Sequence, residues 1–203
     1  MVDGLIVIAV VLVVAAFVIP AFTARRCGCQ MKINCVNNLK EVGIAFRIWE
    51  GDNGGQYPMD VAVTNAGARE WMAAGNVVPC FQVMSNELAT PKILVCPEDK
   101  HHDYATNFAV GFTAANLSYF LALHAADNQP DTALSGDANL VQNRRPVPSG
   151  ILNLWTNTTT WTRPRHKGTG NVLYPDGSVF TVKQIGFPTS SDTFAATNRV
   201  VVP

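Results

Sequence analysis

Charge is scarce in this chain. Only 15% of its 203 residues are charged, and 15 Lys and Arg balance 15 Asp and Glu. A mainly electrostatic nucleic-acid binder would carry a basic surplus, and this sequence has none. Blocks of like charge are missing too, which argues against a disordered acidic or basic tail protein. The sequence holds no Walker loop, dinucleotide fingerprint, Ser-hydrolase elbow or His-Glu-x-x-His motif. Catalytic triads assemble from distant positions, so these absences do not exclude an enzyme, but nothing points to one. No repeat of fixed period and no low-complexity linker marks a second globular domain.

What is present is unevenly placed. Residues 1–24 hold a single charge, Asp3, and about twenty hydrophobic side chains. From Leu5 to Ile19 the run is unbroken; as a helix it spans about 22 Å, and about 30 Å when continued through Pro20 to Ala24. A cleaved signal peptide, a buried core helix and a retained anchor compete for this segment. The signal peptide lacks a basic start and a small-x-small cleavage site, and a lipoprotein signal lacks small residues before Cys27. A retained membrane anchor fits best. Arg25-Arg26 after the run would, on the positive-inside rule alone, keep the C-terminus in the cytoplasm.

Beyond the anchor, Ile33, Val36, Leu39, Val42, Phe46 and Trp49 recur at three- and four-residue steps, the mark of one apolar helical stripe. Gly51 and Asp52-Asn53-Gly54-Gly55 stop it. The economical expectation is one helix from Asp3 to Glu50, roughly 70 Å long and kinked at Pro20, or else two helices hinged near Gly28. This predicts three parts: 1–24 in the membrane, 25–52 as the soluble half of the helix, and 53–203 as an α+β globular domain with a small antiparallel sheet.

Within that domain, short helices are expected at Ala68–Ala74 and Phe81–Leu88. Strands are expected at Lys92–Cys96, Leu117–Leu123, Asn139–Gln142 and Ile151–Trp155, the last with Thr158–Thr162 as its candidate partner. The clearest hairpin runs from Asn171 to Val182 around Pro175-Asp176-Gly177, where Pro presets the turn, Asp bonds its own backbone and Gly takes positive φ.

Three groupings could carry chemistry. Cys96 to Asp103 packs a thiol, two imidazoles and three carboxylates into eight residues, without a second Cys pair at structural-zinc spacing; a solvated loop after a strand is the simpler reading. His166 and Asp176 could form an acid–base pair, or His166 could hydrogen-bond the turn and fix the hairpin, which is the simpler role. Of five cysteines, Cys27, Cys29 and Cys35 lie near the anchor and Cys80 and Cys96 in the domain; outside the cytoplasm, Cys80–Cys96 is the expected disulfide. The alternative is two buried free cysteines, one in a strand and one in a turn. Asp131, Asp137 and Asp192 do not form a compact calcium loop.

Asp3, Ile8-Ala9, Ala15-Ala16 and Pro20-Ala21 fall where type IV pilins and type II secretion pseudopilins place Glu, Ile-Ala, Ala-Ala and Pro-Ala, so the segment resembles that anchor. The acidic residue is Asp rather than Glu, and the basic leader ending in Gly-Phe is missing, so the start codon is expected upstream of Met1, the alternative being lost processing. The chain also resembles a pseudopilin-like family common in planctomycete and verrucomicrobial genomes. The shared blocks are Cys35-Val36-Asn37-Asn38-Leu39-Lys40, Phe81 through Pro97, Leu134-Ser135-Gly136-Asp137, and a His-x9-Asp-Gly signature at His166, Asp176 and Gly177. The resemblance implies an inner-membrane, single-pass subunit with a periplasmic C-terminal domain. It implies partners among copies of itself, other pseudopilins and the secretion or pilus machinery, with no nucleic acid. Asp3 and Pro20 would serve assembly; calcium is associated with major pseudopilins but cannot be mapped here, so no cofactor is expected. The competing readings are an anchored ligand- or glycan-binding domain that does not assemble, and an exported enzyme.

Overall fold

The computed structural model describes residues 28–125, 132–154, 158–185 and 199–203, with Gly4, Ile6, Ile8, 12–14 and Ala16. The chain divides into a unit of residues 1–30 and a unit of residues 31–203. In the first, the described residues 4–16 are helical, and Ile6, Ile8, Leu12, Val13 and Val14 are exposed. No helix among the described residues is long and apolar enough to cross a membrane. Asp3 and Pro20 lie outside the described residues, as does most of the expected anchor and its join to the following helix.

Helix α1, Gly28–Asp52, ends at the predicted Gly-Asn cluster, where Gly54 and Gly55 take positive φ and the Gly55 N–H returns to the Glu50 carbonyl. Leu39, Val42, Phe46 and Trp49 are buried as their spacing predicts, at about 1.5–3 kcal/mol for each large side chain removed from water. The stripe begins one step differently from expectation: Cys35 occupies its first buried position, and Ile33 faces out. Gly43 allows close packing, because a Cβ there would stand 2.9 Å from Leu173 Cδ1.

Three short helices follow, α2 (Arg69–Ala73), α3 (Val78–Val83) and α4 (Ser85–Leu88). The predicted strand at Lys92–Cys96 does not form. Pro91 presets helical φ and Thr90 caps Lys92 N through its hydroxyl, so Pro91–Leu94 makes a 3-10 turn instead.

Among the described residues, ten strands build two antiparallel sheets. They are β1 (Tyr119–Ala122), β2 (Ser135–Asp137), β3 (Leu140–Gln142), β4 (Arg145–Pro146), β5 (Gly150–Asn153), β6 (Thr159–Trp161), β7 (Gly170–Leu173), β8 (Val179–Val182), β9 (Gln184–Ile185) and β10 (Arg199–Val202). Six run in the order β5-β10-β1-β2-β7-β8 and four as β4-β3-β6-β9. The predicted β7–β8 hairpin forms, with Asn171 opposite Thr181. The suggested pairing of 151–155 with 158–162 does not: β5 pairs with β10, and β6 with β3 and β9. So the fold is α+β and antiparallel, with more sheet than the sequence suggested.

Alternation along the central strands gives the six-stranded sheet two apolar faces. Tyr119, Leu121, Leu173 and Val201 join Leu39, Val42, Phe46 and Phe81 in one core, placing α1 and the short helices on that face. Phe120, Val172, Val200 and Val202 join Leu140, Trp161 and Ile185 in a second core, placing the four-stranded sheet on the other. At Gly170 a Cβ would overlap the Trp161 ring at 1.9 Å, so only glycine admits that ring.

Candidate functional site

The sequence blocks that looked separate meet at one buried centre. Cys35 comes from α1, Cys96 from the turn after Leu94, Asp137 from the end of β2, and Arg165-His166 from the turn before β7. Cys35 and Cys96 form a disulfide across a sequence separation of 61, and Cys80 is free and buried. This corrects the expected Cys80–Cys96 pairing. Cys35 stands one helical turn before Leu39, on the face that packs against the domain, so it is within reach despite its place near the anchor. Burial pushes the Cys80 thiol far above its usual range and keeps it inert.

Cys96 Sγ lies 3.3 Å from His166 Nε2, and Asp137 Oδ2 lies 3.5 Å from the same nitrogen. The other ring nitrogen, Nδ1, is 3.0 Å from Glu98 Oε2 but is not aligned for a hydrogen bond. Backbone contacts hold the residue: its N–H donates to Glu98 Oε2 at 2.7 Å, and Thr169 Oγ1 donates to its carbonyl at 2.8 Å. His166 and Lys167 both take left-handed φ, 50° and 57°. For non-glycine residues this costs on the order of 1 kcal/mol or more each, and such strain gathers at sites where the surroundings over-determine the backbone.

Beside the histidine, the Arg165 guanidinium lies between two carboxylates and a carbonyl. It binds Asp99 Oδ2 directly, donates to the Ser118 carbonyl at 3.1 Å and lies 3.8 Å from Asp137 Oδ1. Asp99 also accepts from Ser118 Oγ at 2.7 Å and from the His101 N–H at 3.0 Å, and His102 Nδ1 lies 2.7 Å from it. Burial opposes its ionisation, but the bonds from His102 and Ser118 and the Arg165 charge outweigh it and hold the carboxyl well below the usual range. Asp137 goes the other way: burial raises it, and His166, Arg165 and Asn171 offset only part. Its Oδ2 accepts both the N–H and the side-chain amide of Asn171, at 2.7 and 3.0 Å, and its carbonyl accepts Trp161 Nε1 at 2.9 Å. Asp137 Oδ1 has no hydrogen bond.

Asp99 thereby departs from the solvated loop expected for Cys96–Asp103: it is buried and ion-paired, while Lys100, His101 and Asp103 are exposed. A cleft of about 480 Å³ opens over this edge of the network, lined among others by Asp99, His102, Thr162 and Arg165.

Asp176 is elsewhere. It is exposed in the β7–β8 turn, its Oδ1 accepts Ser178 N at 2.8 Å, and its pKa is lowered by Ser178, first through the side-chain hydroxyl and then through that backbone bond. Gly177 takes φ 82° as the turn requires. The His166 side chain contacts Cys96, Glu98 and Asp137 instead, so neither the acid–base pair nor the turn-fixing bond is formed. Across α1, the Arg47 guanidinium donates to the Pro175 carbonyl at 3.1 Å, tying the hairpin turn to the outer side of the helix.

The site residues that sequence reasoning missed are Ser118 and Arg165; Glu98 and Asp99 stood in the Cys96–Asp103 grouping but were read as part of a solvated loop. The signal for Cys35 was present in the stripe, since 35, 39, 42, 46 and 49 share one helical face. Arg165 carried no local signal. Comparison with family models, curated proteins and solved structures found no match to this chain.

Proposed function

We propose that this chain is a pseudopilin-like structural subunit of a type II secretion or type IV pilus-like filament. It is held in the inner membrane by its N-terminal apolar helix, with the domain on the periplasmic side, and it acts by assembly rather than catalysis. The observation that carries the reading is the second apolar row of α1. At about 100° per residue, Ile33, Ile44 and Ile48 fall within roughly 60° of one another on the side away from the core. They are 57%, 59% and 47% exposed. A helix that buries one stripe in its own domain and offers another to the outside is suited to packing against a neighbouring helix. Support also comes from the exposed side chains of Ile6, Ile8, Leu12, Val13 and Val14 and from a disulfide that fits an oxidising compartment. Asp3 and Pro20 enter through the resemblance alone: a buried carboxylate in a packed helical core needs a partner, and in pilins that partner is the N-terminal amine of a neighbour.

Chemical cross-linking of the full chain in membranes tests this. A ladder of oligomers is expected, weakened in Ile44→Lys and Ile48→Lys and in Asp3→Ala while the domain's melting temperature stays unchanged. Monomer alone would favour the second reading, an anchored ligand-binding domain, for which the cleft beside Asp99 and Arg165 is the supporting observation.

A further inference from the structure

The buried centre holds a set of ligand atoms that the assembly reading does not use. Cys35 Sγ, Cys96 Sγ and His166 Nε2 all lie within 4.8 Å of one another, and all three residues are buried. Two sulfurs and one imidazole suit a thiophilic cation such as zinc, with sulfur at about 2.3 Å and nitrogen at about 2.0–2.1 Å from the metal. In a tetrahedral site that places a sulfur and a nitrogen about 3.5 Å apart, and the Cys96–His166 separation is 3.3 Å. Behind the ring, Glu98 lies 3.0 Å from the second ring nitrogen, without an aligned hydrogen bond in the disulfide form, and it holds the histidine through the backbone N–H, which donates to its Oε2 at 2.7 Å. Asp137 stands on the metal side of the ring, 3.5 Å from Nε2, with one buried carboxylate oxygen lacking a hydrogen bond. Asn34 and Pro97, the sequence neighbours of the two cysteines, line a surface cleft of about 350 Å³, so solvent is close on that side.

We propose that Cys35, Cys96 and His166 form a redox-gated zinc site, closed as a disulfide and open to one cation when reduced. The chemistry balances with a phosphine as reductant. The S–S bond breaks, phosphorus takes the oxygen of one water and leaves as the phosphine oxide, and the two sulfurs take that water's protons. The cation then replaces both thiol protons, which pass to solvent. The inference stands independently of filament assembly.

The test uses the full chain in detergent with Cys27→Ser, Cys29→Ser and Cys80→Ser, so that only the proposed thiols remain. After phosphine reduction it is titrated with cobalt(II), followed by zinc. Expected is thiolate-to-cobalt charge-transfer absorption saturating at one equivalent, displaced by zinc and missing from the oxidised protein. Glu98→Gln should weaken binding about 10–100-fold, and His166→Asn should weaken it further. No absorption after reduction, or equal binding by the oxidised protein, overturns the proposal. Where His166→Asn does not fold, His166→Gln decides, and an unchanged affinity there overturns His166 as a ligand.

Discussion

His166 and Asp176, the two ends of the His-x9-Asp-Gly stretch, sit in opposite surroundings. His166 is buried among a disulfide and two carboxylates, with its backbone in a left-handed conformation. Asp176 is fully exposed in a tight turn whose needs are met by its own neighbours. Between them runs β7, which carries the chain from the buried centre to the hairpin tip. The spacing of such a pair therefore reflects strand length rather than a shared reaction. One end fastens α1 and the loop after Leu94 to the sheet, and the other turns the chain and presents the Pro175 carbonyl to Arg47.

The contrast can be broken most forcefully at Arg165. Arg165→Ala leaves Asp99 and Asp137 buried without their cation and should destabilise the domain by about 3–5 kcal/mol. In calorimetry the melting temperature should fall by about 10 °C; a drop of only a degree or two would mean that the network is not holding the fold. Next comes Cys35→Ser, which opens the long disulfide loop and should cost about 2–4 kcal/mol. Cys80→Ser should not reproduce a loss that depends on oxidation, and comparing oxidised with reduced protein separates the two.

A smaller and pH-dependent effect is expected from Asp99→Asn, about 1.5–3 kcal/mol at neutral pH from lost charged hydrogen bonds. Because its folded pKa is depressed, the Asp99 contribution is present above the unfolded value near 4 and fades as pH falls towards the folded one. The gap between wild type and Asp99→Asn should therefore close in acid. Asp137 has the opposite sign: its pKa is raised, so its contribution is present below about 4 and lost as pH rises through the folded value. Denaturant titrations of Asp99→Asn and Asp137→Asn across that range should diverge, and parallel curves would contradict the assignment. Least affected is Asp176→Ala, whose melting temperature should stay within about 2 °C of wild type. A larger fall would show that the exposed end carries more than its turn.

What the sequence revealed follows the range of the interactions. The β7–β8 hairpin was legible because Pro175, Asp176 and Gly177 settle the turn among themselves, and the end of α1 was legible for the same reason. Strand pairing was not: β5 and β10 are brought together by packing of Val200 and Leu152, which no local pattern announces. At Lys92–Cys96 the apolar run suggested a strand, but the preceding Thr-Pro start and the burial of Ile93 and Leu94 favoured a helical turn. The buried centre draws on residues 35, 96, 99, 137, 165 and 166. Each block could be quoted from the sequence, but their convergence came only with the fold.

The bond between Cys35 and Cys96 also decides how the domain carries load. Tension entering from the chain before Cys35 passes across the sulfur bridge to residue 96 and into the sheet, so the intervening chain is not in the line of force. With a separation of 61 residues, about 200 Å of potential extension is withheld at a few ångströms per residue. Under pull, α1 beyond Cys35 and all three short helices behind it would stay slack until that bridge is reduced.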